Sequence, residues 1–336
     1  MAKHALVIPD MHVGFRRATN GNLTPLHDES ALKAALKMAR QIRPSEVVML
    51  GDNLDLAAWS SKFVPTPDLR ETTQASLECL RDFLVALRKA VGPKCRLTYL
   101  EGNHEARIGK LLLVVAGEAY GLSPAGSDVP ALSVPGLLRL ADKDLRINYL
   151  GPYGATYWLW GKVECTHGDL IRKRGGHTVG ARLVEHPNHQ TFGHIHRCEL
   201  AGRTLHGASG PHTVWAMSPG TLARLDGVVP AGTAHVDWQQ GLGLITLDGE
   251  DIAMFLIPIT NGKAMLPGGL KPMMDLDDGI DDEKVVTKLA EPEPKDADRF
   301  RELQWVETLP QVWEQRHVPV QQDDAILGIN LTDVLS

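Results

Sequence analysis

Three side chains able to bind cations or move protons stand together in "LEGNHEAR": Asn103, His104 and Glu105, at the end of an apolar run. Alone they would read as a polar turn and a helix start. Residues of the same kind end other apolar runs, however. Asp10 and His12 occur in "PDMHVG", Asp52 and Asp55 in "LGDNLDL", His167 in "ECTHGD", and His194 and His196 in "TFGHIHR". Two carboxylates, one amide oxygen and four imidazoles (Asp10, Asp52, Asn103, His12, His167, His194, His196) form a mixed oxygen and nitrogen donor set without thiolate. Such a set suits Mn²⁺, Fe, Zn²⁺ or a similar borderline ion and does not by itself select one. Seven donors exceed one tetrahedral ion but suit two ions sharing a carboxylate. That arrangement can clamp both oxygens of a phosphoryl displacement and acidify a bridging water.

Residues so far apart in sequence meet only if the fold gathers them. The first third alternates strand and helix: His4–Asp10, a helix over Asp28–Ile42, Glu46–Asp52, a helix over 68–91, and Arg96–Asn103. Leu32, Ala35, Leu36 and Ala39 mark one helical stripe, and Leu77, Leu80, Leu84 and Leu87 the other. This β-α-β-α-β order implies parallel strands with right-handed crossovers. Open α/β sheets bind ligands beyond the carboxyl ends of their strands, where these polar residues fall. Residues 105–145 read as an inserted helix and loop. Further strands are expected at Arg146–Leu150, Thr156–Thr166, Gln190–Gly193, Thr213–Met217, Gly241–Leu247 and Ile252–Ile259, with a short helix near 177–185.

Composition narrows the class. With 43% hydrophobic and 23% charged residues among 336, the chain reads as globular, and no apolar run approaches a membrane span. No signal peptide is expected, because the short apolar run near the start leads directly into the polar residues of interest. Cys79, Cys95, Cys165 and Cys198 lack paired spacing, so a reducing cytoplasm is expected. Residues 275–336 hold 16 acidic and 6 basic side chains, leaving 25 acidic and 29 basic for the rest, a mildly basic body suited to an anionic substrate. We divide the chain into a catalytic domain at 1–262, an acidic proline-containing linker at 263–298, and a segment at 299–336. That last segment could pack on the body or join two copies of the chain.

In order, DxH, GDxxD, GNHE, a lone His before Gly, and GHxH resemble the calcineurin-like metallophosphoesterase superfamily across Asp10–His196. The resemblance implies an α/β fold, a four-layer α-β-β-α sandwich with two mixed sheets. It implies one metal held by Asp10, His12, Asp52 and His196, and a second held by Asp52, Asn103, His167 and His194, with Mn²⁺ first and Fe, Zn²⁺ or Ni²⁺ as alternatives. His104 would be the general acid, opposite a metal-bridging hydroxide, with Asp55 accepting its hydrogen bond and favouring the imidazolium. The Ser/Thr protein-phosphatase branch continues GDxxD with Arg-Gly and precedes GNHE with Arg; here Leu56, Ala57 and Glu101 stand instead. That directs the reading to phosphodiesterases and nucleases, with DNA or a nucleotide as candidate substrates. A phosphomonoesterase acting on a nucleotide or phosphoprotein is the alternative, and a non-catalytic scaffold a third class. "MSPGTLARLDG" and "VDWQQGLGLI" are similar to stand-alone phage and bacterial members.

Arg107 and the basic run Arg172, Lys173 and Arg174 are candidate phosphate contacts, each weighed against a plain solvated surface. Glu105 reads as a first-turn residue at the positive end of a helix dipole. Trp59 and Phe63 could wall the substrate or fill the core. His177, His186, His189, His206, His212 and His235 have no motif support, and Cys165 and Cys198 read as packing.

Overall fold

A computed structural model describes residues 2–61, 66–208, 210–226 and 236–265. Phe63, His235, the linker beyond 265 and the segment 299–336, with any role in joining copies, lie outside the described residues.

The first third follows the alternation read from sequence. Strand β1 (Lys3–Ile8) is followed by a small hairpin of β2 (Phe15–Arg17) and β3 (Leu23–Pro25), helix α1 (Glu29–Ile42), β4 (Glu46–Met49), α2 (Thr73–Val91) and β5 (Arg96–Leu100). The helix expected from 68 starts later, because Pro67–Leu69 forms a separate 3₁₀ turn. The insertion contains α3 (Ala106–Val115) and the short α4 (Val134–Leu137), and leads to β6 (Ile147–Leu150). Strands β1, β4, β5 and β6 pair in parallel.

The second half supplies β7 (Tyr157–Leu159), β8 (Val163–Thr166), α5 (His177–Glu185), β9 (His189–Phe192), β10 (Cys198–Gly207), β11 (Gly210–Pro219), β12 (Gly241–Asp248), β13 (Asp251–Thr260) and β14 (Lys263–Ala264). The expected single strand Thr156–Thr166 is a hairpin turning through Trp160 and Gly161, both at positive φ. Strand β14 pairs with β13, so sheet structure extends two residues past the expected end of the body.

Two mixed sheets result, ordered β14-β13-β12-β1-β4-β5-β6 and β10-β11-β9-β8-β7. Period-two alternation explains how β1 serves two layers. Leu6 and Ile8 join α1 and α2 in one core. Ala5 and Val7 face the other way, meeting Leu159, Val163, Cys165 and Met217 of the second sheet. These four side chains of β1 are fully buried, the three larger ones each worth on the order of 2 kcal/mol. A third core packs α5, through Val179 and Leu183, on Phe192, Val214 and Ala216 of the second sheet. The molecule is thus a mixed α/β sandwich with helices outside and sheet against sheet inside. Among the described residues no helix is long and apolar enough to cross a membrane.

His27 gives this core a pH signature. It is 1% exposed, lies against the Phe15 ring and sits within 3.2 Å of the Gly14 carbonyl oxygen. Burial pushes its pKa down from 6.5 to about 4. A depressed histidine pKa means that the unfolded chain takes up a proton the folded chain refuses. Its contribution is therefore complete above pH 6.5 and is lost as pH falls towards 4, by at most about 3 kcal/mol. Urea midpoints measured between pH 6.5 and 4 should fall less steeply in His27→Gln than in the wild type. Equal slopes would show that another group carries the acid sensitivity.

Candidate metal centre

Every expected ligand lies in a loop leaving the carboxyl end of a strand. Asp10 and His12 follow β1, Asp52 follows β4, Asn103 follows β5, His167 follows β8, and His194 and His196 follow β9. Backbone bonds zip these loops together: His12 N–H donates to the Asp52 carbonyl at 2.9 Å and Val13 N–H to the Asn53 carbonyl at 2.8 Å. The turns are tight. His12, Asp52, His194 and His196 all adopt positive φ, from 48° to 68°, a conformation that costs a bulky residue energy and persists where surrounding structure imposes it. Glycine keeps the floor open. A Cβ at Gly102 would lie 2.2 Å from Asp52 Oδ1, and one at Gly193 would lie 2.5 Å from Asp10 Oδ2.

Three groups of potential ligand atoms lie within 4.8 Å of one another: two clusters of expected ligands, Asp10, His12 and His196, and Asp52, His167 and His194, and a third that joins His12 to Asp55 and His104. In the first, His196 Nε2 is 3.3 Å from Asp10 Oδ1 and 3.0 Å from His12 Nε2. In the second, His167 Nε2 is 3.0 Å from Asn103 Oδ1 and 3.4 Å from Asp52 Oδ2. Asp52 Oδ2 is also 4.0 Å from His12 Nε2, placing this carboxylate between the clusters.

Hydrogen bonds on the far sides of the rings fix what the near sides present. His167 Nδ1 lies 2.9 Å from the Leu50 carbonyl, which can only accept, so Nδ1 carries a proton and, once the ring is neutral, the Nε2 lone pair faces the site. His12 Nδ1 donates to Asp55 Oδ2 at 3.2 Å, leaving its Nε2 lone pair inward as well. Such outer partners, carbonyl or carboxylate, are the usual means of orienting a metal-binding imidazole. The centre consequently aims acceptors at acceptors, with Asp10 and Asp52 at 0% and 1% exposure. Buried charge so arranged could be balanced by a bound cation.

In the free protein the same charge is balanced by protons. Burial lowers the His167 pKa, yet the Asp52 charge and hydrogen bond outweigh burial and hold it up at about 10. Against its own burial, Asp52 is held well below the ordinary carboxylate range by His104, His167 and His12. A proton on His167 thus does the work that a metal ion could do. These donors fit divalent cations by number, type and inward orientation; they do not select among the borderline ions.

Two expected roles change. The Asp55 carboxylate does not orient His104: its Oδ2 is 3.8 Å from His104 Nδ1 and bonds His12 instead. The backbone carbonyl of Asp55 takes the His104 Nδ1–H, at 2.6 Å. Nor is His104 held as imidazolium. Burial pushes its pKa down to about 4, and Arg107 Nη2 donates to the Nε2 lone pair at 2.8 Å. Arg107, expected as a phosphate contact or a solvated side chain, also donates to the Asp55 carbonyl at 2.9 Å and so sits at the centre.

Glu105 is the residue that the sequence reading missed. It stands at the N-terminal end of α3, as expected, but is 2% exposed and its carboxylate faces the metal-site loop. Its Oε1 accepts from Asn53 N, Leu54 N and the Tyr99 hydroxyl at 2.8, 3.0 and 2.7 Å, and its Oε2 from Asp52 N and Gly102 N at 2.9 and 3.0 Å. Burial and the Asp52 charge raise its pKa to about 7, and these hydrogen bonds to the carboxylate work against that rise.

Arg172, Lys173 and Arg174 are exposed, and among the described residues no hydrogen bond or ion pair brings their side chains to the cluster. Trp59 packs on the core and donates to Thr73 Oγ1 at 2.9 Å. His177, His186, His189, His206 and His212 join neither cluster. An unforeseen neighbour is Trp238, edge-on to His196 with ring centres 4.2 Å apart.

No protein-family model matches the chain. It is similar to the Gene 54 proteins of two Mycobacterium phages. Identity is 25% over 273 residues with that of phage L5, covering 80% of this chain and 98% of that protein. With that of phage D29 it is 24% over 282 residues, with the same shares covered.

Proposed function

We propose that the protein is a two-metal phosphodiesterase of the calcineurin-like type. The observation that carries the reading is Asp52, a carboxylate set between two groups of inward-facing acceptors. The order of the five motifs supports it independently. Asp10, His12, Asp52 and His196 would hold one divalent cation, and Asp52, Asn103, His167 and His194 the other. When bound, the pair supplies positive charge that polarises the phosphoryl group and acidifies an attacking water.

The chain's own contribution centres on His104 and Arg107. In the free protein His104 is neutral, its Nε2 covered by the Arg107 guanidinium. An incoming phosphodiester offers Arg107 a stronger, charged acceptor and places an anion beside His104. Both changes favour the imidazolium, which can then protonate the leaving oxygen. The Asp55 carbonyl holds the ring in the tautomer this requires.

The test is turnover of bis(4-nitrophenyl) phosphate, 4-nitrophenyl phosphate and DNA with Mn²⁺. Diester should be cleaved faster than monoester. His104→Ala should cut diester turnover by about 10²- to 10⁴-fold while bound metal stays at the wild-type level. Preference for the monoester would favour the phosphomonoesterase alternative, and absence of turnover on all three would remove the enzyme reading.

A further inference from the structure

Beside the metal centre lies a cleft of about 820 Å³, walled by α3, the insertion that follows it and the chain leaving β6. Its volume is that of a small-molecule site. Tyr153, one of its walls, joins it to the metal centre: its ring centre is 5.8 Å from that of His167, and its hydroxyl donates to the Gly168 carbonyl at 3.0 Å. This wall is already in place, because Glu101 accepts from Tyr149 Oη at 2.8 Å and Tyr153 N at 3.1 Å.

Part of the lining is apolar and uncovered. Leu113, Tyr120 and Leu132 line it at 56%, 53% and 41% exposure, more than side chains of this size show when they serve only a core. Gly109 lets the Tyr120 ring lie against α3, since a Cβ there would come within 3.3 Å of Tyr120 Cε2. Lys110 lines the same cleft and makes no ion pair among the described residues. A planar aromatic ring, aliphatic flanks and an unpaired cation beside a phosphate-directed centre suit one class of occupant.

We propose that this cleft receives the nucleobase of a nucleoside-bearing phosphodiester, stacked on Tyr120, with its phosphate at the metal centre. The inference rests on the phosphodiesterase reading for the phosphate half only. Base–aromatic stacking is tolerant of base identity, so the cleft selects for a base rather than for a sequence.

Two esters with the same leaving group separate the halves: thymidine 5′-(4-nitrophenyl phosphate) and methyl 4-nitrophenyl phosphate, with the Mn²⁺-loaded full chain. The thymidine ester should show a KM lower by about tenfold or more. Tyr120→Ala, and separately Leu132→Asp, should bring the two KM values together; both side chains are exposed enough for the fold to survive. Equal KM values in the wild type, or a preference that persists in both variants, would overturn the proposal. Calorimetric titration of the metal-free protein with adenosine is read independently of turnover. A saturable heat lost in Tyr120→Ala supports the cleft even if neither ester is cleaved, in which case the phosphodiesterase reading alone fails. No heat, or heat unchanged in the variant, counts against the cleft.

Discussion

Asp52→Asn is expected to leave the fold intact and to abolish the centre. The carboxamide keeps an oxygen able to accept the His104 N–H that Asp52 Oδ1 now takes at 2.8 Å, so the loop loses no hydrogen bond there. What disappears is the negative charge between the two acceptor groups. Bound manganese, two per chain in the wild type on the reading above, should fall below one, and diester turnover should drop on the order of 10³-fold. Thermal unfolding supplies a second readout. A ligand at a hundred times its dissociation constant stabilises the native state by about 2.7 kcal/mol, so metal should raise the wild-type Tm and leave that of the variant nearly unmoved. Equal metal-induced shifts in both proteins would mean that Asp52 does not bridge, and the two-metal assignment would fail with it.

The contrast between what the sequence showed and what it hid follows the kind of information each requires. Asp10, Asp52 and Asn103 were legible because each ends a buried strand, and strand ends can be located from hydrophobic pattern alone. Parallel pairing of β1, β4 and β5 then brings them to one edge without further assumption. The partners that aim the rings were not legible. Whether Asp55 bonds His12 or His104 depends on loop dihedrals and rotamers, and the sequence offers both histidines equally. Leu50 orients His167 through its carbonyl, a group every residue possesses. Strand β10 escaped notice because its partner is strand β11 on one side only; "CELAGRTLHG" carries mostly solvent-facing side chains and two glycines, with no apolar run to mark it.

The cleft follows the same logic. Residues 105–145 read as an insertion without motif, since a concave surface has no period in sequence. Its meaning arises from place: α3 begins three residues after Asn103, so whatever the insertion builds stands beside the metal centre. Glu101 illustrates the point. In sequence it registers only as an arginine missing relative to protein phosphatases; in the structure its carboxylate anchors Tyr149 and Tyr153.

Glu105 allows two readings of one residue to be separated by magnitude. If it were an exposed carboxylate favoured by a helix dipole, neutralising it would cost about 0.3–1 kcal/mol. Its geometry demands far more. Both oxygens are saturated, each by two backbone N–H groups and one also by the Tyr99 hydroxyl. In Glu105→Gln one oxygen becomes an NH₂ donor, whichever way the amide turns. Two buried N–H groups then lose their acceptor and face another donor. At about 1–3 kcal/mol for each stranded group, the expected destabilisation is about 2–6 kcal/mol, measured by urea unfolding. The damage should also reach the metal. Glu105 holds Asp52 N–H, and Asp52 keeps its φ of 49° only while the loop around it is fixed. Release should weaken metal affinity about 10- to 100-fold, as loss of an orienting partner commonly does. A Glu105→Gln protein with stability within 1 kcal/mol of the wild type and unchanged metal affinity would show that the 52–54 loop is held by its own turns and not by this carboxylate.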